Sequence, residues 1–276
     1  MNTKTGITLI LALVIFSSLG LQAQWIKASG NTISEERSVS EFNSIQTNGS
    51  ADIVIKQGDV QKLVVETDAN LIKHIITDVN DKTLSISIKK SYRNIEIVKV
   101  YVTVPSLQSI SNSGSGDIEF LNNFITPSLK VRISGSGDFQ ADLETKSMDY
   151  KLSGSGDGYF SGVSGDLQIA VSGSGDVQAS NLRLNKGQIK INGSGDLKLS
   201  GSAEDVVFGV SGSGDIDAYD LDAVYVNVKI AGSGDVKIHA IESIQASIAG
   251  SGDVYYTGDP KKANVSSSGS GELIKR

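Results

Sequence analysis

The stretch Ile169-Ala170-Val171-Ser172-Gly173-Ser174-Gly175-Asp176-Val177-Gln178-Ala179 decides the fold, because apolar and polar residues alternate on both sides of a glycine corner. Alternation with a period of two marks a strand with one buried face, and no 3.6-residue period competes with it. The corner returns along the chain, with its acid at Asp117, Asp138, Asp157, Asp176, Asp196, Asp215, Asp235, Asp253 and Glu272. Successive gaps of 21, 19, 19, 20, 19, 20, 18 and 19 residues suit one solenoid coil per repeat. Five and seven residues before the acid the apolar pairs recur as Val131/Ile133, Tyr150/Leu152, Ile189/Ile191, Phe208/Val210, Val228/Ile230 and Ala246/Ile248. One and three residues after it stand Ile118/Phe120, Phe139/Ala141, Leu197/Leu199, Ile216/Ala218, Val236/Ile238 and Val254/Tyr256. These flanks exclude a flexible Gly/Ser linker, which would carry no buried face.

The expected fold is all-β: a single-stranded parallel β-helix, or β-solenoid, with coils of about 19 residues, preceded by an irregular β-rich capping segment. Each repeat reads as strand, corner, strand and a more variable return loop. One coil cannot cover its own apolar face, but coils stacked about 4.8 Å apart share a core. The paired corner glycines are Gly114 and Gly116, Gly135 and Gly137, Gly154 and Gly156, and Gly173 and Gly175. They continue as Gly193 and Gly195, Gly212 and Gly214, Gly232 and Gly234, and Gly250 and Gly252. A sharp corner asks for positive φ and close backbone approach, which glycine supplies at the lowest cost.

Stacking turns the acids into a ladder along one edge. Two carboxylates about 5 Å apart repel by about 0.8 kcal/mol in water and about 3 kcal/mol at an effective dielectric of 20. Hydrogen bonds from turn amides or the adjacent serine hydroxyl would offset this, as in an Asx turn. Calcium between the rungs is the alternative, since hard carboxylate oxygens suit that ion. No cofactor other than calcium has candidate ligands. The motif distantly resembles calcium-binding nonapeptide rolls, but its period is twice as long, and only Ser164-Gly165-Asp166 offers an opposite acidic turn. The serine row from Ser115 to Ser270 is assigned to turn chemistry.

Ahead of the repeat, Ile53/Ile55, Leu63/Val65, Leu84/Ile86/Ile88 and Val100/Val102/Val104 also alternate, and Asn48-Gly49-Ser50-Ala51-Asp52 resembles a degenerate corner. The 65 residues from Asp52 to Asp117 amount to about three coils with insertions, and 70–77 reads as a short helix or irregular turn. The N-terminus reads as a signal peptide over 1–23: Lys4, then a 13-residue apolar run from Ile7 to Leu19, then Leu21-Gln22-Ala23. That run is too short to span a bilayer, so no membrane span is expected after cleavage. Residues 24–110 then form the capping segment, with Trp25 at its start, and 111–276 the solenoid.

The remaining chemistry is sparse. Hydrophobic residues at 39% argue for a folded chain, and the net charge of −6 offers no field for nucleic acid. Cysteine is absent, which excludes disulfides and thiol catalysis. His74 and His239 are the only histidines, and neither stands in a triad setting. The short, even returns leave little material for a catalytic cleft, so no enzyme is expected. Partners are glycan or envelope and surface protein, with a carbohydrate-active enzyme or a calcium-stabilised structural protein as alternatives. Charged residues Glu272, Lys275 and Arg276 would discourage strand addition at the last coil.

Phe42-Asn43-Ser44-Ile45, then Gly49-Ser50-Ala51-Asp52, Val100-x-Val102-x-Val104-Pro105-x-Leu107 and the serial corners together resemble a bacterial family, the auto-transporter adhesin head GIN domain. The resemblance runs over about residues 38–276 and implies a secreted β-helical domain with no catalytic residues to carry over. It leaves no length for an autotransporter's membrane barrel, so the expected location is the periplasm, the outer cell surface or the extracellular medium.

Overall fold

A computed structural model describes residues 26–89, 92–93 and 98–276. The expected signal segment and Trp25 lie outside the described residues. Strands hold 68% of the chain and wind into a parallel β-solenoid of about nine turns. The central coils are single long strands: Phe139–Leu152, Gly158–Val171, Val177–Ile191, Leu197–Gly212, Ile216–Gly232 and Val236–Gly250. Each pairs with the next in parallel, so Tyr150, Ile169, Ile189, Phe208, Val228 and Ala246 stack as one inward row. Every side chain in that row is buried.

The return that the sequence suggested as a loop is strand. It bends twice without leaving the ladder. At Ser161-Gly162, Ser180-Asn181 and Ser200-Gly201 consecutive residues turn outward, with φ of +81° at Gly162, +53° at Asn181 and +133° at Gly201. A second pair turns outward at Lys146-Ser147, Asn185-Lys186 and Glu204-Asp205. Register shifts near these bends have the character of β-bulges, which turn a strand while keeping its hydrogen bonds. Polar pairs at a bulge read locally like a loop, and this hid the strand.

Aromatic residues fill the early coils. The Phe120 ring lies 5.1 Å from Phe124 and 5.9 Å from Phe139, Phe139 lies 5.5 Å from Tyr150, and Tyr150 lies 5.3 Å from Phe160, centroid to centroid. Each fully buried ring of this kind contributes about 1.5–3 kcal/mol. Gly158 replaces the apolar residue that other coils carry after the acid, because a Cβ there would collide with the Tyr150 hydroxyl. The resulting core is continuous from Phe42 to Val254.

At the front, stacking order departs from chain order. Ser44–Asn48 and Asp52–Gln57 lie directly beneath the first repeat, pairing Ile45 with Ile110 and Ile53 with Ile118. Beneath them in turn lie Thr83–Ile88 and Val98–Val104, which come later in the chain. Asp52 and Asp117 are therefore adjacent rungs, not three coils apart. The residues between them supply that lower layer and an antiparallel cap. In the cap, Lys62–Asp68 pairs with Val98–Val104, Thr32–Arg37 with Lys62–Asp68, and Ile75–Asn80 with Thr83–Ile88. A 3-10 helix at Ile72–His74 precedes the last of these, where a short helix or turn was expected. At the far end, Lys262–Ser267 pairs with Ser243–Ile248 and is exposed along all six residues.

Candidate functional site

The acids form the ladder that the repeat implies, but their hydrogen bonds run between coils. The backbone N–H of each acid donates to Oδ1 of the acid one coil earlier. The distances are 3.1 Å from Asp117 to Asp52, 2.9 Å from Asp138 to Asp117 and 2.8 Å from Asp157 to Asp138. They continue at 2.9 Å from Asp176 to Asp157, 2.8 Å from Asp196 to Asp176 and 2.8 Å from Asp215 to Asp196. The last three are 2.7 Å from Asp235 to Asp215, 2.7 Å from Asp253 to Asp235 and 2.9 Å from Glu272 to Asp253. The next residue resumes ordinary pairing, as when Val177 N–H donates to Asp196 O at 2.9 Å. The carboxylate thus stands in for a backbone carbonyl where the corner leaves the ladder. Charge-assisted bonds of this kind offset repulsion along the row.

The outer oxygens face solvent or a phenol. Tyr159 Oη donates to Asp157 Oδ2 at 3.4 Å and Tyr255 Oη to Asp253 Oδ2 at 3.0 Å. Charge on Asp157 raises the Tyr159 pKa, and the bond to Asp253 raises that of Tyr255. Among the described residues no three or more His, Asp or Glu side chains converge to hold a metal ion.

The sixteen corner glycines are explained by backbone approach. At both glycine positions of every corner, a Cβ would overlap the carbonyl oxygen of the residue stacked one coil earlier. Positive φ, expected throughout, occurs among them only at Gly212, Gly232 and Gly250. The stack itself closes the space above each glycine, so the requirement is steric even where φ is ordinary. Serine lies between the glycines with its side chain exposed. Its backbone N–H carries the ladder, for example Ser155 to Gly135 O at 3.0 Å.

His239 lies in the strand Val236–Gly250, not in a loop, with Nδ1 2.9 Å from Thr257 Oγ1. His74 ends the 3-10 helix.

A second candidate surface lies elsewhere, on the long face just past the second bend. A shallow groove of about 590 Å³ crosses four coils there. One of its rows runs Asp149, Gln168, Gln188, Val207, and the row beside it runs Asp166, Lys186, Asp205 and continues past the groove's lining to Tyr225 on the next coil. Gln168 Nε2 donates to Gln188 Oε1 at 3.0 Å. Asp149 Oδ2 lies 3.3 Å from Arg132 and 3.8 Å from Lys151, while its Oδ1 is buried without a partner. None of the ion pairs found among the described residues includes Asp166, Lys186 or Asp205. Sequence reasoning singled out only Asp166 from this group. The signal was present as outward rows eight and ten residues before each acid, but nothing local ranks one polar row above another. A smaller groove of about 360 Å³ lies beside the ladder, between Tyr159, Asp196, Lys198 and Lys237.

Comparison with known proteins agrees with this architecture. The sequence profile of a family described as "Putative auto-transporter adhesin, head GIN domain" matches residues 41–198 and 184–260. A crystal structure from Parabacteroides distasonis, described as a "putative lipid binding protein", is 28% identical with a TM-score of 0.69, covering 92% of this chain and 100% of its own. A "putative adhesin" from Parabacteroides merdae, 22% identical over 92% of this chain and 100% of its own, shares the fold with a TM-score of 0.70. No curated protein matches the chain. Among the described residues no helix is long and apolar enough to cross a membrane.

Proposed function

Since this chain belongs to the family described as "Putative auto-transporter adhesin, head GIN domain", we propose that it is an exported, adhesin-like module that holds an envelope or surface ligand along a rigid face and does not transform it. The carrying observation is the row geometry. Outward side chains repeat coil by coil on strand, and among the described residues no long loop crosses the long face to close over a substrate. Such a surface suits an extended ligand, as in other solenoids. Adhesin-like descriptions of the family and of a structural neighbour point the same way. The lipid-binding description of the Parabacteroides distasonis protein favours a second reading. The packed interior argues against it, since the fully buried rings of Phe124, Phe139, Tyr150 and Phe208 occupy the inside of these coils, where an acyl chain would have to lie.

The test is to incubate residues 24–276 with purified envelope polysaccharides, then to assay both retention and reducing ends. Retention without new reducing ends or unsaturated sugars is expected. Release of either product would replace this reading with a carbohydrate-active enzyme. Export is checked by fractionating cells that express the full chain, with Gln24 as the expected mature N-terminus.

A further inference from the structure

Resting on that reading, we propose that the groove on the long face is a row of sugar subsites for a neutral or amino-bearing glycan, with Tyr225, one coil beyond its lining, as the stacking platform at its end. The groove has the chemistry that sugars require. Vicinal hydroxyls are recognised by planar carboxylates and amides, and the C–H face of the ring by an exposed aromatic side chain. Both kinds of group stand here on consecutive coils. Asp166, Lys186 and Asp205 occupy one outward position of three neighbouring coils, and Tyr225, 47% exposed, continues that row on the fourth.

These groups are available. Asp166, Lys186 and Asp205 form no ion pair with one another or with other described residues. This differs from the corner acids, whose Oδ1 atoms accept backbone N–H groups. The coil spacing of about 4.8 Å is close to one hexose in an extended chain, so successive sugars would meet successive coils.

Charge selects the ligand class. Arg132 and Lys151 both pair with Asp149 and exceed it by one positive charge, which Asp166 and Asp205 against Lys186 offset. With the charges in balance a polyanion gains no net attraction, a neutral chain is accepted, and an amino sugar gains Asp166 or Asp205, which hold no ion pair, as a carboxylate partner.

The experiment titrates residues 24–276 with cellohexaose, a chitosan hexamer and a galacturonic acid hexamer by calorimetry, and with phosphatidylglycerol vesicles by co-sedimentation. Expected are binding of the first two and none of the third. Tyr225→Ala should weaken both about tenfold, and Tyr225→Phe should restore them. Asp166→Asn with Asp205→Asn should remove the preference for the amino hexamer. Lys198→Ala, in the other groove, should change nothing. Binding that is insensitive to Tyr225→Ala but lost in Lys198→Ala would overturn the groove while leaving the binding module intact. Tighter binding of the galacturonic hexamer would overturn the ligand class. Vesicle binding lost in the groove variants would replace the glycan with a lipid surface. No hexamer bound by the unaltered protein would refute this proposal alone if envelope polysaccharide is still retained, and the binding-module reading as well if it is not.

Discussion

At Gly175 one hydrogen atom separates a stacked corner from a collision with the carbonyl oxygen of Gly156. Gly175→Ala is expected to cost about 3 kcal/mol, the upper end of overpacking, because the obstacle is backbone and cannot rotate away. Gly209→Ala, whose Cβ would meet Lys190 Cγ at 3.5 Å and Ile189 O at 4.0 Å, both ordinary contacts, should stay within about 0.5 kcal/mol. Urea unfolding midpoints of the two variants check both. Tyr150 makes the opposite case. Its hydroxyl is buried without a partner, and burial first, then Asp157 and Asp138, raise its pKa. A raised folded-state pKa means a contribution present below the ordinary tyrosine value of about 10 and lost as pH rises past it. Tyr150→Phe should therefore gain about 1 kcal/mol at neutral pH and flatten the loss of stability between pH 9 and 11. Unfolding midpoints across that range would show it. At this scale the repeat made the glycines and acids legible, but not their partners. An Asx turn within the corner is the local expectation, whereas the true donor to Asp157 is Asp176, 19 residues away.

Strands tell a similar story at the next scale. Alternation such as Val177-Gln178-Ala179 declared its strand at once, while Ser161-Gly162 and Glu204-Asp205 looked like breaks and proved to be bends within one. Periodicity measures which face is buried, and a bulge resets that phase without ending the ladder. The groove rows were equally present and equally silent, since outward polar residues are the default of any solvated face. Because each coil touches only its neighbours, removing one whole coil should leave the rest folded. Deletion of residues 177–196 joins Asp176 to Leu197, removing the Gly193–Asp196 corner and keeping every other corner whole. Circular dichroism should retain its β signal, with a sedimentation coefficient appropriate to a monomer one coil shorter. A collapsed or aggregated product would show that coils are not interchangeable.

The whole molecule is a stack joined by one kind of stitch. Each carboxylate from Asp52 to Asp253 already accepts a backbone N–H through Oδ1, so calcium drawing on that oxygen would have to compete with a bond between coils. Thermal melts of residues 24–276 in EDTA and in millimolar calcium should coincide. A stabilisation of about 3 kcal/mol, as ligand at a hundred times its dissociation constant gives, would reassign the ladder to metal. The inverted layering at the front bears on time. Residues 44–57 leave the ribosome well before 83–104, the layer that lies beneath them. At about 5–20 residues per second the wait lasts several seconds. Bringing Asp117 onto Asp52 closes a span of 65 residues, about 1 kcal/mol dearer in chain entropy than one of 19. Every later coil finds its template finished as it appears. Assembly is thus a slow seed followed by quick one-way growth, and Lys262–Ser267, the least covered strand of the repeat, is also among its youngest.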